Sequence, residues 1–378
     1  MANDISPSSK RRKLAVVSQQ QQQHQDLLPG LPDHIAQVCL SLVHPSFLFS
    51  VCRSWRRLIY SPSFPPFLSL YALFSIPDPQ TQTQTQTQTH LRFQAFDPIS
   101  SLWRVLPTPP LHLLLRHPSF VSRHLPLQSV SVAGHLALLA ATAENLVPAL
   151  PQPLVFDPSS CEWAHAPPLS APRRWCAAGT LRGSVYVASG IGSQFSHDVA
   201  RSVERWDPRG SGWERVSDLR DGRFSRDAID AVGWRGKLCM VNVRGGALKD
   251  GVVYDADKDT WQEMPEGMIG GWRGPVAAMD EDEMFMVDEA KGALRKYDPG
   301  RDSWVEVIES ERLRGAEQIA AGGGRVCVVC SGTGGKGIVV VDVATAPARL
   351  WPVETPEGLE AVAVHVLPRI TAPLVPST

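Results

Sequence analysis

A short phrase, aspartate followed six positions later by tryptophan, constrains this chain more than any other feature. It runs from Asp97 to Trp103, Asp157 to Trp163, Asp207 to Trp213, Asp255 to Trp261 and Asp298 to Trp304. A looser sixth copy, Asp342 to Trp351, carries three extra residues. Successive tryptophans stand 60, 50, 48, 43 and 47 residues apart. Recurrence at about 40–50 residues marks a repeat architecture in which each copy is one propeller blade. The chemistry of the phrase is that of a turn. Aspartate accepts hydrogen bonds from backbone N–H groups two residues on, and a following proline presets the next φ angle. Tryptophan then opens the outgoing strand and offers a large apolar surface to the next blade.

The third repeat shows the plan of a blade most clearly. Arg174 to Leu181 reads as a first strand, Arg182-Gly183 as a turn, Ser184 to Gly190 as a second strand, Ser202 to Trp206 as a third and Trp213 to Val216 as a fourth. Four short antiparallel strands at this spacing make one blade. The second strands are nearly continuous apolar runs, such as Leu136 to Ala140, Met284 to Val287 and Val326 to Cys330. Continuous rather than alternating hydrophobicity implies burial on both faces, as between two blades. The first Asp–Trp phrase follows only Leu68 to Ser75 and Leu91 to Phe96, so its blade is one strand short. An unclaimed strand, residues 359–366, follows the last repeat. It is expected to complete the first blade and close the ring, because closure removes exposed sheet edges. The fold expected is therefore all-β, a six-bladed propeller over residues 67–370. The Gln/Thr alternation at 80–89 has no apolar face and reads as a surface loop.

What precedes the repeats is of another kind. Residues 1–26 hold the basic cluster Lys10 to Lys13 and the glutamine run Gln19 to Gln23, and read as a disordered tail. The basic cluster has the composition of a nuclear import signal. Residues 27–66 form a small helical module. Asp33 is placed to cap a helix carrying Ile35, Val38, Cys39, Leu42 and Val43 at helical spacing. After Pro45 and Ser46 a second helical stretch carries Phe47, Leu48, Val51, Cys52, Trp55, Leu58 and Ile59, ending at Ser61-Pro62. A module of this size cannot bury a sufficient core, and leftover apolar surface calls for a partner.

Leu31-Pro32-Asp33-x-Ile35 followed by Val51-Cys52-Arg53-Ser54-Trp55-Arg56-x-Leu58-Ile59 resembles an F-box. The resemblance implies a three-helix motif that docks on the Skp adaptor of a cullin-based ubiquitin ligase. Leu31, Pro32, Ile35, Val51, Cys52 and Trp55 are then the candidate adaptor contacts. The aromatic-Asp-x5-Trp phrase resembles kelch repeats, although the double glycine after the second strand survives only as Ser189-Gly190 and Ser331-Gly332. The two together are similar to plant F-box/kelch proteins of the Skp-interacting-partner type.

Other chemistry finds little support in the remaining residues. Net charge is −1, which gives no global pull towards nucleic acid or membrane. Seven cysteines show no paired framework, which fits a reducing compartment. No apolar run approaches the ~18 residues of a membrane span. These features place the chain in the nucleus and/or the cytoplasm. Cys327-x-x-Cys330 lies in a strand, where residues three apart face opposite sides. The histidines show no metal-ligand spacing, and no phosphate-binding or nucleophile motif occurs. The chain is expected to be non-catalytic, with no cofactor and no metal.

One set of residues carries a recognition hypothesis. Arg174, Arg273 and Arg314 share one phase of the repeats, Arg226 lies one step off it, and Arg123 lies near it. Trp175, Phe224 and Trp272 flank them. Positions in one phase share one face of a propeller. Arginine with aromatics suits an acidic or phosphorylated segment of a protein target. The expected function is a substrate receptor of a Skp–cullin–F-box ubiquitin ligase. A non-degradative scaffold is the alternative. A propeller enzyme acting on sugars is a weaker one, because it needs convergent titratable groups.

Overall fold

The computed structural model describes residues 27–76, 91–109, 127–143, 147–226, 229–242, 250–332 and 335–371. The tail at 1–26, the Gln/Thr run and Arg123 lie outside the described residues. The chain divides into two units, residues 1–65 and 66–378.

In the first unit three helices, Asp33–Ser41, Pro45–Val51 and Arg53–Ile59, surround a small core of Ala36, Leu40, Leu48, Leu58, Ile59 and Phe64. Pro32, not Asp33, occupies the N-cap, and no side chain caps that end. Asp33 is the first helical residue and accepts from the Leu27 N–H instead, at 3.3 Å. The second helical stretch is broken at Cys52, whose extended backbone (φ −155°, ψ 168°) starts a third helix. Trp55 is half-buried, and its indole N–H donates to the Leu27 carbonyl at 2.8 Å, tying the entry segment to the last helix.

The second unit is a ring of six four-stranded antiparallel sheets. From the innermost strand outwards, blade two comprises Leu127–Val132, His135–Ala141, Leu154–Asp157 and Glu162–His165. Blade three has Ala177–Leu181, Ser184–Ala188, Val203–Trp206 and Trp213–Val216. Blade four has Ile229–Trp234, Lys237–Asn242, Gly251–Asp255 and Thr260–Glu263. Blade five has Val276–Met279, Glu283–Asp288, Ala293–Asp298 and Ser303–Glu309. Blade six has Ala316–Gly322, Arg325–Gly332, Gly335–Asp342 and Arg349–Val353. Blade one takes Leu68–Ser75, Leu91–Asp97 and Leu102–Leu106 from the start of the ring and its innermost strand, Glu360–Pro368, from the end. This last strand pairs antiparallel with Leu68–Ser75. It is stapled on both sides. The Gln318 side chain of blade six bonds both the N–H (2.8 Å) and the carbonyl (3.0 Å) of Val364. His365 meets Ser129 and Ser131 of blade two at 2.9 and 3.3 Å.

The repeated phrase works as turn and wedge. Each of the six aspartates accepts from the N–H two residues on: Ile99, Ser159, Arg209, Asp257, Gly300 and Ala344, at 2.7–3.1 Å. Five tryptophans donate their indole N–H to a backbone carbonyl of the preceding blade's exit segment. Trp163 reaches Pro107, Trp213 Pro167, Trp261 Ser217 and Trp304 Met268, while Trp103 reaches round the seam to Glu354. All five distances are 2.7–2.9 Å. Each of these tryptophans lies opposite an aromatic residue on the third strand of its blade: Phe96, Phe156, Trp206, Tyr254 and Tyr297. The apolar core is accordingly not one mass but six clusters, each shared by two neighbouring blades.

Trp351 departs from this order. The register of blade six sets Leu350 opposite Val341 and Trp351 opposite Val340. Leu350, one residue earlier, therefore takes the wedge position and packs into the core shared with blade five. Side chains alternate across a strand, so the longer turn sends Trp351 to the other face. The sixth copy keeps its aspartate turn but not its tryptophan wedge.

Candidate functional surfaces

On the helical unit, a large share of the side chains that face solvent are apolar. Leu31, Ile35, Val38, Leu42, Val43, Phe47 and Val51 are all exposed, as are Pro32 and Cys52. Five of the six residues expected at the adaptor contact thus lie in the open, and Trp55 stands half-buried behind them. Val38, Leu42, Val43 and Phe47 extend the same apolar surface. From the first helix the core takes Ala36 and Leu40. The hint available in the sequence was size: three short helices cannot enclose so many large side chains.

On the propeller, the innermost strands line a central cavity of about 370 Å³. His365 is one of its lining residues. Burial without a counter-charge holds it neutral, with a pKa lowered to about 3. Arg174, Arg226, Arg273 and Arg314 stand just before the innermost strands of blades three, four, five and six, at the same end of those strands. Their surroundings differ. Arg273 is exposed. Arg314 is exposed and pairs with Glu311 at 3.0 Å. Arg226 ends the short 3-10 turn Arg223–Arg226. Arg174 is partly buried and stacks on the Trp175 ring at 4.0 Å. Its Nε and Nη1 are shielded from solvent and have no hydrogen-bond partner among the described residues. Desolvation lowers its pKa from the usual guanidinium value.

The backbone around Arg174 is firmly held. Arg174 exchanges two hydrogen bonds with Ile191, each 2.9 Å. Trp175 sits at φ +54°, a left-handed conformation that non-glycine residues rarely adopt. A Cβ at Gly190 (φ +102°) would stand 2.9 Å from the Arg174 carbonyl, so glycine is required there. Beneath lies a buried ion pair between Arg173 and Glu204, which also accepts from Ser170.

Two of the flanking aromatics do not belong to this surface. Phe224 and Trp272 are 1% and 0% exposed and pack in the cores between blades three and four and between blades four and five. They are core residues, not contacts: Phe224 in the turn Arg223–Arg226 and Trp272 at the end of the helix Glu266–Gly271 both turn into the space between blades. Cys327 and Cys330 fall into different inter-blade cores, and burial pushes both thiols up to about 12. Among the described residues no helix is long and apolar enough to cross a membrane.

No protein-family profile matches the chain. Among characterised sequences it is 51% identical to the F-box/kelch-repeat protein SKIP25 of Arabidopsis thaliana, over 97% of this chain and 95% of that protein. It is 26% identical to the Arabidopsis F-box protein AFR, with 82% of each chain covered. It is 22% identical to the Arabidopsis F-box/kelch-repeat protein At1g22040, over 81% of this chain and 77% of that protein. With an apolar three-helix module ahead of a closed propeller, and with that degree of identity across almost its whole length, the chain belongs to the F-box/kelch-repeat proteins.

Proposed function

We propose that this protein is the substrate receptor of a Skp–cullin–F-box ubiquitin ligase, non-catalytic in itself. The helical unit holds the Skp-type adaptor, and the propeller holds a protein target. The observation that carries the reading is the exposed apolar surface of the helical unit, Leu31, Pro32, Ile35, Val38, Leu42, Val43, Phe47, Val51 and Cys52. Apolar surface gains about 25 cal/mol for each Å² removed from water, so covering several of these side chains supplies a driving force of several kcal/mol, part of it offset by association entropy. Tethering a target beside the ubiquitin-charged enzyme raises the effective concentration of its lysines without any chemistry from the propeller.

Arg174, Arg273 and Arg314, with Trp175, are the propeller surface we assign to the target. Arg174 is its centre, since a desolvated guanidinium short of acceptors favours a carboxylate or phosphate. Removing residues 27–66 is expected to abolish adaptor capture while the propeller stays folded, and undiminished capture would sink the reading. Changing Arg174, Arg273 and Arg314 together to Glu is expected to release co-purifying target and leave adaptor capture intact.

A further inference from the structure

The seam between blades six and one holds a groove of about 810 Å³. Its walls include Leu68, Leu102, Trp103, Val105, Trp351 and Arg325. The one-residue shift that removes Trp351 from the wedge position delivers its ring to this groove, where it remains 37% exposed. The Arg325 guanidinium lies 5.8 Å from the centre of that ring and makes no ion pair among the described residues. Glu354 stands on the rim, but what it offers Trp103 is its backbone carbonyl.

The outer edge of blade one is unlike those of its neighbours. A sheet's free edge is normally guarded by charge or proline against a further strand. Two positions after the tryptophan, blades two to five carry His165, Arg215, Glu263 and Glu306, whereas blade one carries Val105, 63% exposed. Just before the tryptophan they carry Glu162, Gly212, Thr260 and Ser303, whereas blade one carries Leu102, 66% exposed. The facing edge of blade six is blocked by Pro352, which has no N–H to donate. Among the described residues, the blade-one edge is thus left open to pairing along this groove.

We infer that the groove at the seam of blades six and one binds an extended apolar protein segment that carries a carboxylate. Such a segment adds to the free edge Leu102–Leu106, sets its apolar side chains against Trp103 and Trp351, and turns its carboxylate to Arg325. Backbone pairing supplies part of the affinity and alternate side-chain pockets supply the selectivity. The site is separate from the arginine surface at the ends of the innermost strands, so it does not rest on that assignment.

The test selects linear peptides from a random phage-displayed library on the immobilised full-length protein. Enriched peptides are expected to share apolar residues at alternate positions and an Asp or Glu. Their affinity is expected to fall at least about tenfold in Trp351→Ala and in Arg325→Glu, and to hold in Arg174→Glu. Both groove variants touch partly exposed side chains, and unchanged melting temperatures will show that they fold; a double Leu102→Thr, Val105→Thr variant provides a second check. Absence of any enrichment, or peptides whose binding ignores all three groove variants, overturns the inference. So does a concentration-dependent dimer that Trp351→Ala abolishes, since the groove would then belong to a second copy of this chain.

Discussion

The helical module leaves seven large apolar side chains in solvent, and the far longer propeller leaves six among its described residues: Leu68, Leu102, Val105, Phe195, Val305 and Trp351. Four of those six line the single groove at the seam. The difference is one of closure. A ring of blades can bury both faces of its inner strands, because each sheet is covered by the next and the last covers the first. Three helices of nine, seven and seven residues have no such neighbour, so their apolar stripe stays open. In the module exposed apolar surface is the rule. In the propeller it marks the place where the repeat breaks register.

Undoing closure is expected to have the largest effect. A chain ending at residue 358 lacks the strand Glu360–Pro368 and is expected to lose its cooperative thermal transition. A melting curve matching the intact chain would show that the ring does not depend on its seam. Next comes the wedge. Trp163→Ala removes a ring packed between two blades and its bond to Pro107, and is expected to cost about 3–5 kcal/mol in denaturant unfolding. Trp351→Ala, out of register and partly exposed, is expected to cost well under about 1 kcal/mol. Equal costs would contradict the register assigned to blade six.

A more gradual effect is expected with acid. His365 stays neutral in the folded protein down to about pH 3, whereas an exposed histidine in the unfolded chain takes up a proton near pH 6.5. Below about 6.5 the unfolded state therefore binds the extra proton, and stability falls as pH drops, by up to about 1.4 kcal/mol per unit, until the folded pKa is reached. Above about 6.5 the site contributes no pH dependence. His365→Gln is expected to flatten that part of the stability–pH profile measured by denaturant titration, and an unchanged slope would exclude His365 as its source.

Much of this was legible in the sequence because the repeat states the same rule many times. Aspartate turns, continuous second strands and the missing strand of blade one follow from local chemistry and counting. What escaped depended on parity and on size. Asp342 and Trp351 stand nine apart rather than six, yet which residue of Leu350 and Trp351 faces inwards is set by pairing with Val340 and Val341. Phe224 and Trp272 sit beside arginines in the chain but are buried in the cores between blades, and a turn and a helix end have no simple period from which that burial could be read. In the module, size alone implies leftover apolar surface, but that Ala36 and Leu40 turn inwards while Val38 and Leu42 turn outwards is set by how the three helices pack.

On this reading the open apolar surface of the module serves the adaptor rather than folding. The decisive measurement is the Kd between the full-length chain and a Skp-type adaptor, for the natural protein and for Ile35→Asp combined with Val51→Asp. Both side chains are exposed, so the melting temperature is expected to move little, while affinity falls by a factor on the order of 100 or more. An unchanged Kd in a variant that melts with the natural protein would contradict the account.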